Sequence, residues 1–401
     1  MSAITENKQG LKVLIAGCVM QLFLGIVYVW SVFVKPVSEA YDWDVAGVKL
    51  MSSFMLSFFG IGILAGGKLM MKIGAQKTVL TGGLMLAGGM LASAFMTQET
   101  KQLMYLTYGV IGGFGVGTAY SAVISTAQKW FPQNRGFATG VSVCTFGFST
   151  VIFAPLIKAL IGSFGLDSTF MILAAGCGLA VVSLFSVIRL PDDSVTGKMG
   201  AALLAKRQYT LAETIRTKEF YLIALSMMFA TSVFFVLNPS FITLAESHGA
   251  AQVATLLVMI TGVANALGRL CAPMLADKIG CEKAAISITI TTAFCALALC
   301  FAHGWLFVAA VAIAAFCYGG FPGLYPVLTA DYFGIKNVGA NYGAVMIGFA
   351  LSALCWPMLI SMIGSDENPT MRFIALASLA GIATLLVVVL MLGKKKTVVS
   401  E

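Results

Sequence analysis

One arginine in this chain sits where an arginine is costly. Arg269 falls inside the apolar stretch 251–275, and an ionised side chain at the centre of a membrane-crossing helix costs roughly 2.5–3.5 kcal/mol on insertion scales. It must therefore face protein or a water-filled cavity. Helical periodicity says which residues share its face. Thr261, Asn265 and Arg269 recur at i, i+4 and i+8, whereas Val263, Leu267, Leu270 and Met274 line the opposite side. The stretch thus carries a polar stripe ending in a guanidinium, a planar fork of donors that fits a carboxylate through both oxygens. The competing reading is that Arg269 snorkels to the membrane surface near Asp277, about 12 Å along a helix. Glu246 and Asp331 lie near the ends of apolar stretches, and no Asp or Glu lies deep in one. Arg269 therefore lacks an obvious fixed acidic partner, and a small carboxylate anion would supply the missing charge.

Aromatic residues are the next candidates. Tyr28 and Trp30 lie in the first apolar stretch, Tyr120 in the fourth, and Tyr318, Phe321 and Tyr325 in the tenth, the last three at i, i+3 and i+7 on one helix face. Tyrosine hydroxyls can complete the hydrogen bonds of a carboxylate while the rings enclose its short carbon chain. Interhelical packing or an interfacial aromatic belt explains the same residues without a ligand. Glu246 and His248 are candidates for handling protons, since histidine titrates in the useful range; an ordinary loop role is the alternative.

Other chemistries find little support. Nine cysteines include no C-x-x-C pair, and there are only two histidines, so neither a metal centre nor a disulfide framework is expected, and no cofactor. The glycines at 112 and 117 are not followed by the Lys-Ser/Thr of a phosphate loop. No nucleophile–base constellation marks an enzyme.

The elements that must position these residues follow from composition. The 401 residues are 59% hydrophobic and 10% charged, against roughly 25% charged in a soluble domain, so the main solvent is the lipid bilayer. About 20 apolar residues are needed per crossing. Twelve spans result, at about 11–34, 46–67, 78–97, 102–128, 136–161 and 168–189, then 219–245, 251–275, 284–302, 304–330, 340–363 and 371–392. Leu14–Cys18 resembles a lipoprotein cleavage box, but the apolar run continues through Val34, which fits a retained span better than a signal segment.

Of the 25 basic residues, nineteen fall on the termini, the 191–218 linker and one alternating set of loops, five on the other set, and Arg269 inside a span. The Lys/Arg excess marks cytoplasmic loops. Both termini and the linker are therefore expected in the cytoplasm of a multi-pass inner-membrane protein. That placement accounts for the formal charge of +8 without invoking nucleic acid.

The chain also repeats itself. Gly67–Lys77 and Pro273–Lys283 share Leu, Lys-Ile-Gly and a final Lys at a constant offset. The expected architecture is all-α: a six-helix half at 1–190, a linker at 191–218 and a six-helix half at 219–401, acting as a monomer. Such repeats hold their substrate site between the halves near mid-membrane. In span 4, Gly109, Gly113, Gly117, Ser121 and Ser125 repeat every fourth position, which permits close helix approach. Pro239, Pro322 and Pro326 are candidate kinks in spans 7 and 10.

Leu275, Asp277, Lys278, Gly280 and Lys283 resemble the loop motif of the major facilitator superfamily, which implies a gate latch at Asp277 and Lys278. The first copy carries Met71 where the family has its Asp. Tyr28-Val29-Trp30-Ser31, Lys129–Gly136, Tyr209–Glu213 and Asn341-Tyr342-Gly343 resemble the oxalate/formate antiporter family, a relative of the monocarboxylate porters. The resemblance spans nearly the whole chain. It implies that Arg269 holds substrate carboxylate and that Tyr28 and Tyr120 belong to the pocket. Oxalate-exchanging members place a lysine in span 11 where this chain has Phe349. One cation matches one carboxylate, so lactate, pyruvate or formate is the expected class; a dicarboxylate antiporter and a transport-dead sensor are the alternatives. Animal monocarboxylate porters carry an Asp where Asn265 stands, and Asn does not titrate. Proton symport and anion exchange are both compatible with these residues.

Overall fold

A computed structural model describes residues 8–191, 207–238, 244–245, 248–250, 252, 254–363 and 369–399. Most of the linker, Pro239 and Glu246 lie outside the described residues.

Among the described residues, ten helices are long and apolar enough to cross a membrane. Two of them are of double length: Gly47–Ser93 runs for 47 residues and Arg135–Val187 for 53. At 1.5 Å per residue either would exceed twice the hydrocarbon thickness if straight. Each is broken by a glycine with positive φ, Gly74 at 83° and Gly165 at 79°, a conformation that residues with a Cβ resist. Spans 2 and 3 therefore form one hairpin and spans 5 and 6 another, which brings ten helices to the twelve expected crossings.

Span 1 is less regular than its apolar run suggests. Its helix Lys8–Leu24 passes through a 3-10 turn at Gly25–Val29 before resuming at Trp30–Tyr41. Tyr28 sits on that turn. Span 4 opens with a π-helical stretch at Tyr105–Gly112 and continues as Gly113–Trp130. Span 7 is described as Lys218–Ala230 followed by Ser232–Leu237. Span 8 is Ala254–Ile279, and span 10, Gly304–Phe333, stays helical through Pro322 and Pro326. Span 11 is Val338–Ser361 and span 12 Thr370–Val399.

Small residues let these helices touch backbone to backbone. A Cβ at Gly113 would run into the carbonyl of Met55, and one at Gly117 into that of Phe59, so the glycine face of span 4 lies on span 2. Its other face meets span 3, where a Cβ at Gly82 would lie 2.6 Å from the amide nitrogen of Ala119. Without a hydrophobic force between helices in lipid, van der Waals contact of this kind holds them together.

The two halves meet along spans 2 and 11 and along spans 5 and 8. Gly67 abuts Gly339, Gly343 abuts Leu64, and the Ser57 hydroxyl donates to the Ala350 carbonyl at 3.2 Å. Gly136 and Gly140 of span 5 face Pro273 and Leu270 of span 8.

Candidate functional site

Span 8 presents the polar stripe inward. Thr261, Asn265 and Arg269 are buried, Arg269 to 1% exposure, while Val263, Leu267 and Met274 are about 40% exposed. Span 10 fixes the height of this stripe. A Cβ at Gly319 would collide with the Asn265 carbonyl, one at Gly268 with the Phe316 carbonyl, and one at Gly323 would lie 2.7 Å from the Arg269 carbonyl. On the other side span 5 leaves room for the arginine stem: a Cβ at Gly147 would lie 3.1 Å from Arg269 Cδ. The side chain thus lies between the halves. It does not snorkel to the membrane surface.

The guanidinium is only partly satisfied. Its Nε donates to Asn265 Oδ1 at 2.8 Å. Its Nη2 is buried with no hydrogen-bond partner. The Tyr28 ring lies 5.2 Å from the guanidinium carbon and the Phe146 ring 5.5 Å, within cation–π range. Among the described residues the ion pairs are Lys35–Glu39, Arg135–Asp331, Arg207–Glu213 and Lys394–Glu282; none involves Arg269. A buried cation without a counter-ion is destabilising by several kcal/mol, and ring faces offset only part of that.

Around the guanidinium the aromatic residues form a continuous wall drawn from both halves. Tyr28 and Tyr318 bring their hydroxyls to 3.3 Å across the interface, and the Tyr318 ring stacks on Phe234 at 3.7 Å. Tyr120 packs edge-on against Phe59 and Phe146, each at 5.2 Å. Phe349 meets Phe59 at 5.9 Å and Phe235 at 4.9 Å. Tyr28 reaches the wall because Gly25 lets the 3-10 turn rest on the Phe146 carbonyl. The hydroxyls of Tyr120 and Tyr342 are buried near each other with no partner in hydrogen-bond geometry, and both feel the charge of Arg269.

Other candidates are placed elsewhere. Tyr325 shares a helix face with Tyr318 in projection, yet its hydroxyl bonds that of Ser226 in span 7 at 2.9 Å. Seven residues further along span 10, about 10 Å of helix, it faces span 7 and not the arginine. His248 rests its Nδ1 2.8 Å from the Leu244 carbonyl, and its ring stacks on Phe307 at 4.6 Å and beside His303 at 5.7 Å. Phe307 precedes Tyr318 by eleven residues in span 10, about 16 Å of helix, so His248 is remote from Arg269. Glu246 lies outside the described residues.

At the linker end of the bundle the halves are held by charge. Asp277 sets its carboxylate against the start of span 5, facing the backbone N–H groups of Gly136 and Phe137, where a helix N-terminus favours an anion. Gly136 leaves the space this needs. Arg135, the next residue back, pairs with Asp331 at 3.2 Å, tying span 5 to the end of span 10. Lys278 is exposed. The Arg135–Asp331 pair escaped sequence reading, because nothing in the order of residues brings positions so far apart together. Phe146 and Phe59 escaped it too, since one ring among 28 phenylalanines carries no mark of its own; Tyr342 was legible only as part of the Asn341-Tyr342-Gly343 stretch and not as a site residue.

Comparison with known proteins places this geometry. The chain is 28% identical over 351 residues to the uncharacterized MFS-type transporter YhjX of Escherichia coli K12, covering 85% of each chain. It is 26% identical over 336 residues to the oxalate:formate antiporter of Oxalobacter formigenes, covering 82% of this chain and 78% of that one. Monocarboxylate transporter 13 of Bos taurus is 26% identical over 210 residues, about half of each chain. Among solved structures, the human organic anion transporter MFSD10 superposes with a TM-score of 0.69 at 14% identity, covering 94% of this chain and 99% of that one. The xylose transporter XylE of E. coli gives 0.67 at 15% identity, covering 94% and 97%. These last two likenesses bear on the fold alone. The family model of the Major Facilitator Superfamily matches residues 13–237 and 220–400, and with its two all-helical halves closing around a shared interface this chain is a multi-pass membrane transporter belonging to that superfamily.

Proposed function

We propose that the chain is a secondary active transporter of small monocarboxylates, of the lactate, pyruvate or formate class. It works by alternating access as proton symport or anion exchange. The observation that carries this reading is the Arg269 guanidinium, buried between the halves, bonded to a neutral amide and lacking a carboxylate among the described residues. A carboxylate supplied by the substrate neutralises it. The flanking rings of Tyr28, Phe146 and Phe59 leave an apolar surround that suits a short carbon chain and disfavours a second charge.

The same reading assigns the linker end to the cytoplasm of the cell membrane, from the Lys/Arg bias. Asp277 and the Arg135–Asp331 pair then act as latches of a closed cytoplasmic side. Substrate binds from the opposite side, the latches release, and the halves rock about the bound anion. A dicarboxylate exchanger is the second reading, favoured by the likeness to the oxalate:formate antiporter. Phe349 disfavours it, because it occupies with an apolar ring the place of a second cation.

The test is counterflow of labelled pyruvate, lactate, formate and oxalate in proteoliposomes. Arg269→Gln, correctly inserted, is expected to abolish monocarboxylate counterflow. Undiminished counterflow in that variant, or oxalate carried better than the monocarboxylates, refutes the proposal.

A further inference from the structure

Three donors near the centre of the molecule are buried with no acceptor in hydrogen-bond geometry: Arg269 Nη2, the Tyr120 hydroxyl and the Tyr342 hydroxyl. Buried polar atoms are almost always hydrogen-bonded, and leaving one unmet is costly. Three such atoms in one neighbourhood call for a common explanation. The Tyr120 and Tyr342 hydroxyls lie close enough to interact with each other but outside hydrogen-bond geometry, and each is within electrostatic reach of Arg269 and Tyr28. Both rings are at most 2% exposed.

Their placement in the chain is as telling. Tyr120 belongs to span 4 of the first half, Tyr342 to span 11 of the second. Backbone contacts hold both in place. Span 4 is pinned to span 2 one turn before Tyr120, at Gly117 against Phe59. Span 11 is pinned to span 2 at the residue after Tyr342, where Gly343 abuts Leu64. Neither hydroxyl can turn to lipid without separating the helices.

We propose that Tyr342 is a substrate-positioning residue, its hydroxyl joining that of Tyr120 to supply the second and third donors to a carboxylate held by Arg269. This rests on the reading of Arg269 as the anion site. It goes beyond that reading by assigning the donor set and by drawing it from both halves. A carboxylate has about four acceptor positions on its two oxygens, so three donors suit it and a neutral ligand leaves them underused. The bound anion becomes the bridge between Tyr120 and Tyr342, taking in place of their poorly aligned mutual contact the hydrogen bond that each hydroxyl lacks. Substrate occupancy therefore ties the two halves through one ion, and the donor set is complete only when spans 4 and 11 are together.

The experiment measures KM and maximal rate for labelled lactate, pyruvate and formate counterflow in proteoliposomes, for Tyr342→Phe, Tyr120→Phe, the double variant and Arg269→Gln. Phenylalanine keeps the ring and its packing. Tyr342→Phe is expected to raise KM by about 10- to 100-fold, the range for losing a hydrogen bond to a charged group. The maximal rate and melting temperature should stay near those of the parent. The double variant should lose less than the product of the two single losses, because both hydroxyls serve one anion. If Tyr342→Phe leaves KM unchanged while Arg269→Gln abolishes transport, the assignment of Tyr342 is overturned and the anion site stands. If melting temperature and maximal rate fall along with any change in KM, Tyr342 is a packing residue and the proposal is again overturned. If Arg269→Gln transports like the parent, or the parent carries none of the three acids, both readings fail.

Discussion

Replacing Asn265 by aspartate exchanges a single heavy atom and should change the energetics of the whole site. Asn265 Oδ1 already accepts from Arg269 Nε at 2.8 Å, so a carboxylate there would form a permanent ion pair in the same geometry. Substrate would then bind a guanidinium whose charge is already met. Two carboxylates on adjacent edges of one guanidinium lie about 5–6 Å apart, and at an effective dielectric constant of about 20 their repulsion is roughly 3 kcal/mol. That corresponds to an affinity loss of about 150-fold at neutral pH. Protonating the introduced carboxylate removes the repulsion, so acid should restore affinity. Asn265→Asp is thus expected to turn carboxylate uptake into a steeply acid-stimulated process relative to the parent measured in parallel. The assay is initial uptake into proteoliposomes at fixed substrate across roughly pH 5 to 8, the range over which physiological pH switches operate, with KM determined at both ends. A variant whose KM at neutral pH stays within about twofold of the parent, with no added acid stimulation, would falsify the idea that Arg269 pairs directly with the transported anion.

Two further outcomes follow from the same geometry. Phe349→Lys places a second cation near Phe59 and Phe235, the rings Phe349 now meets, and should shift preference from lactate toward oxalate in competition counterflow; an unchanged ratio would show that Phe349 does not face the transported anion. Arg135→Ala removes the 3.2 Å pair with Asp331, whose side chains are 14% and 25% exposed. Loss of such a mostly buried pair, which leaves Asp331 uncompensated, should destabilise the closed linker side by about 1–3 kcal/mol, read as longer spin-label distances between the ends of spans 5 and 10; identical distance distributions in parent and variant would exclude a latch there.

Much of this molecule is written in residue order because the bilayer imposes a simple rule. Each crossing must satisfy its own backbone as a helix and show lipid an apolar face, so span number and the inward stripe Thr261–Asn265–Arg269 were legible from hydropathy and a period of 3.6. The glycine face of span 4 was legible for a similar reason, since only small residues allow backbones to touch. Residue order does not encode which side chains from different helices converge. Tyr318 and Tyr325 look equivalent along span 10, yet one meets Tyr28 and the other Ser226, because neighbouring helices decide what each turn of the face encounters. The 3-10 turn that aims Tyr28 depends on contact between Gly25 and the Phe146 carbonyl, a long-range event with no local signature. Local chemistry and solvent fixed the helices and the buried cation; only packing between the halves surrounded that cation with rings and tyrosine hydroxyls and left its charge for something mobile to meet.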